Sequence, residues 1–171
     1  MAAAARPDLT EAAQDLRELV GTPLAEASST WTDRDVLLYN LGIGAGAQPT
    51  DERELRYIFE RDLVVLPSYA SVACSDGLIG FRSVPGLDLT GVVVLHGEHR
   101  VEILEPIPVS AAVTHAGRLA EVYDRGRGAL VRFEVDTALA DTGTVLFRNT
   151  ATFYMKGLGG FGGPSVDGSA P

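Results

Sequence analysis

The sequence predicts an α+β fold in which one curved antiparallel sheet wraps a short central helix. Three observations carry this. From Gly91 onward the apolar residues recur every second position, the period of strands, whereas before it they recur at helical spacing. One short segment after Pro67 is apolar nearly all round, as a helix buried by a sheet must be. The 171 residues, 46% of them hydrophobic, suffice for one domain with a real core and are too few for two.

The elements follow in order. Leu9, Ala12, Leu16 and Leu19 sit at three- and four-residue spacing, which predicts a peripheral helix over Leu9–Val20 that Gly21 stops. Residues 1–30 are read as an extension carrying this helix. Thr32 with Asp35 three residues on is a capping box, opening a helix through Leu41 that Gly42 ends. The run Gly42-Ile43-Gly44-Ala45-Gly46 is a flexible connection, because no strand precedes it and no Gly-Lys-Ser follows it as in a phosphate loop. Thr50 caps a helix from Asp51 to about Phe59, with acids in its first turn opposing the dipole. Ser68 caps the central helix, Tyr69 to about Ser75, which Gly77 closes.

Four strands are expected, over Val92–Leu104, Val109–Tyr123, Gly128–Ala140 and Thr144–Lys156, in meander order. The third alternates cleanly, with Val131, Phe133, Val135, Thr137 and Leu139 on one face and Arg132, Glu134 and Asp136 on the other. Asp141-Thr142-Gly143 is a hairpin turn joining the last two. Long antiparallel strands around one short buried helix define the hot-dog architecture, here over residues 31–157. Residues 158–171 are Gly-, Ser- and Pro-rich and read as a flexible tail or linker.

Composition narrows the functional classes. A net charge of -9 lacks the basic footprint that nucleic acid requires. Cys74 is the single cysteine, so neither an intrachain disulfide nor a multi-cysteine metal site exists, and a reducing cytoplasm fits. Arg6 and Asp8 interrupt the Ala-rich start, and no apolar run approaches the ~18 residues of a membrane span, so a soluble cytoplasmic chain without membrane partners is expected. Of 14 basic residues Lys156 is the one lysine, a bias typical of a GC-rich bacterial genome.

The histidines are as informative for what they lack. The residues five before His96, His99 and His115 are Gly91, Val94 and Ser110, so none has a carboxylate at that spacing. Two readings of His96 stand: a contact to substrate or to a partner, or a strand residue satisfied locally. By period 2 it shares a face with Glu98, Arg100 and Glu102, opposite His99, although Gly97 invites a bulge that turns it inward. With opposite faces, His96 and His99 give no metal signature. Glu60 is either a carboxylate facing a cleft or, beside Arg61 and Asp62, part of a solvated charge cluster. Tyr39, Leu66, Pro67, Tyr69 and Val72 are core candidates by composition.

Taken in order, Thr32-Asp33-Arg34-Asp35 leading to Tyr39, Leu41-Gly42-Ile43-Gly44-Ala45, Leu66-Pro67-Ser68, Val94-Leu95-His96-Gly97-Glu98, Pro106 with Pro108, and Gly159-Gly160-Phe161-Gly162-Gly163 form one ordered set. It resembles the N-terminal half of the MaoC-like (R)-specific 2-enoyl-CoA hydratases, including the hydratase part of peroxisomal multifunctional enzyme type 2, over residues 31–163. The resemblance implies a non-catalytic hot-dog half that binds an acyl-CoA or acyl-carrier thioester, with no cofactor beyond that thioester substrate. The catalytic Asp and His would come from a second hot-dog half or subunit. It also implies substrate-binding roles for Tyr39, Glu60, Leu66, Pro67, Tyr69, Val72, His96 and Gly97, the apolar ones lining an acyl tunnel. Two departures stand out: His99 occupies the family's glutamine position, and Phe59 replaces the tyrosine before Glu60. A homodimeric thioesterase using Asp76, Asp88 or Glu60, and a structural subunit without catalysis, are the alternatives.

Overall fold

The computed structural model describes residues 16–48 and 50–162. The expected helix Leu9–Val20 therefore falls largely outside them; residues 16–18 complete a helical turn, and Leu16 is buried against the sheet. Among the described residues, no helix is long and apolar enough to cross a membrane.

Strand β1 (Ala27–Trp31) is the one strand that the apolar pattern did not predict. Its sequence, Ala-Ser-Ser-Thr-Trp, offers no apolar alternation, and only Trp31 is buried. Pairing with β3 (Ala111–Asp124) holds it instead. Helix α1 (Asp33–Gly42) starts at the expected capping box: the Asp35 carboxylate accepts from the Thr32 backbone N–H and hydroxyl, both at 2.8 Å. Those two bonds hold the Asp35 carboxyl below its ordinary range.

Helix α2 (Glu52–Leu55) is capped by Asp51 rather than Thr50 and stops well short of Phe59. The backbone that follows is claimed from outside: the buried Asn40 amide donates to the carbonyls of Tyr57 at 2.8 Å and Val64 at 3.2 Å. Asp62 then turns the chain, with φ of 57°.

The central helix is longer and more broken than expected. A 3₁₀ turn (Pro67–Tyr69) leads into α3 (Ala70–Ala73); after an irregular Cys74 come α4 (Ser75–Ile79) and a second 3₁₀ turn (Gly80–Ser83). Ser68 does not cap it; Leu66 occupies that position without a side-chain bond. Gly77 does not close it either. A Cβ there would stand 2.5 Å from Cβ of His115, so Gly77 is where helix and β3 approach most closely. Nor is the segment buried all round: Ala70, Cys74 and Gly77 face the sheet, while Val72 is 51% exposed.

The remaining strands lie close to expectation, as β2 (Val93–Ile103), β3, β4 (Gly128–Leu139) and β5 (Val145–Lys156). The sheet order is β1-β3-β4-β5-β2, which is not a meander. Strand β2 pairs with β5 at one edge, and the proline-bearing link 104–110 carries the chain across to β3. Trp31 ties this link down by donating its indole N–H to the Pro108 carbonyl at 2.9 Å. The sheet is wrapped on the helix, since α3 meets β2 and β5 while α4 meets β1, β3 and β4. On β4, Val131, Phe133, Val135 and Thr137 face inward and are buried, each large apolar side chain stabilising by ~1.5–3 kcal/mol. Arg132, Glu134 and Asp136 point outward and pair with Glu121, Arg118 and Arg148.

The tail is corrected in part. Leu158 and Phe161 are buried, and the Asp124 carboxylate accepts from the backbone N–H groups of Gly160 at 2.9 Å and Gly162 at 2.8 Å, so residues 158–162 pack on the domain. Residues 163–171 lie outside the described residues.

Candidate functional site

Three clefts border the central helix. The first, about 480 Å³, opens between α1, β1 and the helix; Trp31, Asp35, Tyr39, Tyr69, Val72 and Asp76 line it. Tyr69 stands between two aromatic edges, its ring 5.3 Å from Tyr39 and 5.7 Å from Trp31. Burial, and secondarily the Asp35 charge, push its phenol up to about 12, so it stays protonated. The second cleft, about 290 Å³, is apolar and is formed by Leu63, Val64, Val65, Pro67, Ile103, Pro106 and Ile107. The third, about 590 Å³, runs between the helix and the inner face of β2, with Ser68, Ser71, Ser75, Leu78, His96, His99 and Val101 on its walls. Val101 and Ile103 lie on one face of β2, and Pro67 and Ser68 adjoin on the helix. The apolar cleft therefore adjoins the polar one along the strand.

A bulge at Gly97 shapes the polar cleft. The β2–β5 register slips between His96 and Glu98, so His96 faces Phe153 while His99 faces Ala151, both inward-pointing residues of β5. Opposite faces were expected for these histidines; the extra residue puts them on the same face, with ring centroids 5.3 Å apart. His96 also packs on Phe153 at 4.8 Å, and its Nε2–H donates to the Glu98 carbonyl at 3.1 Å. His99 reaches the buried Asn149 at 2.8 Å, and Asn149 in turn donates to the Ala70 carbonyl of α3 at 3.3 Å.

The candidates read from sequence are thus divided. Tyr39, Tyr69 and Val72 share the first cleft, Pro67 lines the apolar groove beside half-buried Leu66, and His96 lines the third at the Gly97 bulge. Glu60 is exposed in the turn after α2 and lines none of the three. Asp88 is also exposed; its carboxylate accepts from the Thr90 hydroxyl and backbone N–H, which hold it below its ordinary range. Cys74 has no exposed surface, and burial pushes its thiol up to about 12, far from a reactive thiolate. His99 and Asn149 were not among the candidates. The signal was an asparagine on the inward face of β5, in phase with Phe147, Ala151, Phe153 and Met155.

Among the described residues, none of the three imidazoles hydrogen-bonds a carboxylate. His115 is buried and engages Ser29 through Nε2 at 2.8 Å and Thr137 through Nδ1 at 3.0 Å. The apolar cleft offers room for an alkyl group beside a polar cleft, and no histidine–carboxylate hydrogen bond occurs among the described residues.

A single sheet layer wrapped on one helix, with its ligand-sized clefts beside that helix, defines a hot-dog protein. Residues 29–157 match the family model of the MFE-2 hydratase 2 N-terminal domain, and the chain belongs to that family. It is 36% identical to the enoyl-CoA hydratase ChsH3 of Mycobacterium tuberculosis over 162 residues, covering 92% of this chain and 56% of that protein. Among solved structures, the MaoC-like dehydratase from Phytophthora capsici superposes with a TM-score of 0.70 at 23% identity, covering 91% of this chain and 54% of that one. The ChsH1-ChsH2 complex of Mycobacterium tuberculosis superposes with a TM-score of 0.57 at 14% identity, covering 95% of this chain and 98% of that one. The chain spans about half the length of the curated relatives that it matches.

Proposed function

We propose that this chain is the acyl-thioester-binding, non-catalytic half of an (R)-specific 2-enoyl-CoA hydratase, and that a second hot-dog half brings the catalytic Asp and His. The observation that carries the reading is an apolar cleft adjoining a polar one whose histidines, among the described residues, engage only carbonyl, amide and hydroxyl groups. The alkyl chain lies among Leu63, Val65, Ile103 and Ile107, where its burial is favourable by ~0.8 kcal/mol per methylene. The thioester end lies toward His96 and His99.

Family membership supports the reaction class, and the half-length match supports a second half. The name of the ChsH1-ChsH2 complex shows that related folds assemble from different chains. Strand β2 is an edge strand with Val93 and Leu95 exposed, which suits pairing with another sheet. The test is hydration of crotonyl-CoA, with the chain alone and after adding a hot-dog protein that carries the Asp/His motif. Because a positioned acid/base supplies ~10²–10⁴-fold, the chain alone should show negligible turnover, and the mixture should exceed the chain alone by at least that factor and also exceed the partner alone. Robust turnover by the pure chain would refute the reading.

A further inference from the structure

The acyl-thioester reading uses the second and third clefts and leaves the first, between α1, β1 and the central helix, without a role. Tyr69 is only 5% exposed, yet its hydroxyl has no hydrogen-bond partner among the described residues. A buried phenol ordinarily finds one. The Asp35 charge reaches this phenol, and both residues line the cleft, so the hydroxyl is turned toward it. The Tyr69 ring stands at 72° to that of Tyr39 and at 75° to that of Trp31, and all three aromatic side chains meet at the cleft. Two carboxylates share the wall. Asp76, exposed in the first turn of α4, has neither a hydrogen-bond nor an ion-pair partner among the described residues. Asp35 spends Oδ2 on the α1 cap and keeps Oδ1 without a partner there. The Ser29 and Ser75 hydroxyls are engaged, with His115 and the Val72 carbonyl, and Thr30 adds a hydroxyl that can accept. Among the described residues no arginine, lysine or histidine lines the cleft; Arg34, whose charge reaches Asp35, is not on its wall, and His115 lies beneath Gly77.

Charge decides what such a cleft can take. An anion is repelled by both carboxylates, and a neutral ligand strips water from Asp76 without compensating its charge. A cation meets every demand at once: its N–H groups donate to Asp76, to Asp35 Oδ1 and to the Tyr69 oxygen, and the aromatic rings attract its positive charge. We propose that the first cleft is a binding site for an organic cation, an alkylguanidinium or alkylammonium, whose head is held by Asp76 and the Tyr69 hydroxyl and whose alkyl stem lies on Leu38 and Val72. Those two side chains, 59% and 51% exposed, line the same cleft and are covered by such a stem. The inference stands independently of where an acyl chain lies. A free small amine and a basic side chain of another protein both supply this chemistry.

Trp31 is the single tryptophan, so the intrinsic fluorescence of the purified full chain reports on this cleft directly. Titration with N-butylguanidinium should give a saturable change with a Kd of about 1 mM or tighter, whereas N-butylurea, its neutral isostere, should bind about tenfold more weakly or not at all. Asp76→Asn, at an exposed position, and Tyr69→Phe, which keeps the ring, should each weaken N-butylguanidinium by about threefold or more, with the thermal midpoint reporting that both variants are folded. Asp35 is left intact because it holds the α1 cap. A parallel titration with a blocked Gly-Arg-Gly peptide separates the two sources: tighter binding than N-butylguanidinium assigns the site to a side chain of another protein, and weaker binding assigns it to a free cation. If the two isosteres bind equally, if N-butylguanidinium gives no saturable change, or if its affinity survives Asp76→Asn, the proposal fails.

Discussion

At the scale of single residues, polar groups sealed into an apolar core set the chemistry of the cleft and the sensitivity of the fold to pH. Asn149 links His99 to the central helix, and the hydroxyls of Ser29 and Thr137 engage both ring nitrogens of His115. His115 lies beneath Gly77 with both ring nitrogens engaged, and burial pushes its imidazole below the ordinary value of 6.5, partly opposed by the charge of Asp76. The folded state thus resists protonation more than the unfolded chain does, which takes up a proton first as the pH falls. The contribution of His115 to stability is intact above 6.5 and declines as the pH drops from there toward the depressed folded value. Urea unfolding between pH 7 and pH 5 should show a loss of stability on acidification that is smaller in His115→Gln. Equal pH slopes for the two proteins would contradict this account.

At the scale of elements, the strands were legible and the helices only partly so. Strands β3, β4 and β5 each carry enough alternating residues to fix both location and facing. Strand β1 does not: its pairing with β3 is a tertiary contact that local pattern does not encode. The capping box marked α1 because its geometry is local, whereas α2 stops at Leu55 and the stretch beyond it is held by Asn40, from another element, at the carbonyls of Tyr57 and Val64. The Gly97 bulge was anticipated, but its consequence, His99 joining His96, required the register with β5. For the central helix, composition suggested burial all round, yet a sheet on one side covers one face. Ala70→Arg, on the covered face, should cost several kcal/mol and abolish soluble expression, whereas Val72→Arg, half exposed, should shift stability by no more than ~0.5 kcal/mol. Comparing soluble yield and thermal midpoint of the two variants checks this, and an insoluble Val72→Arg would place the helix differently.

At the scale of the whole molecule, the arrangement is one hot-dog layer with β1 and β2 at its edges and two adjoining clefts beside β2. The outer face carries the ion pairs of Arg118, Arg132 and Arg148, while Val72, Ile79, Val93 and Leu95 are exposed on the helix and on the edge strand β2. This asymmetry was legible as net charge and apolar content but not as geometry, because the β2 crossover, which places the edge, leaves no mark in periodicity. The account stands or falls on where an acyl chain lies. Photolabelling the chain with an acyl-CoA bearing a diazirine at the end of its alkyl chain, followed by peptide mapping, reads this directly. The label should fall on residues 63–67 and 103–107 and be competed by unmodified octanoyl-CoA. Labelling confined to the outer face around Arg118 and Arg148, or labelling that excess octanoyl-CoA does not suppress, would contradict the account.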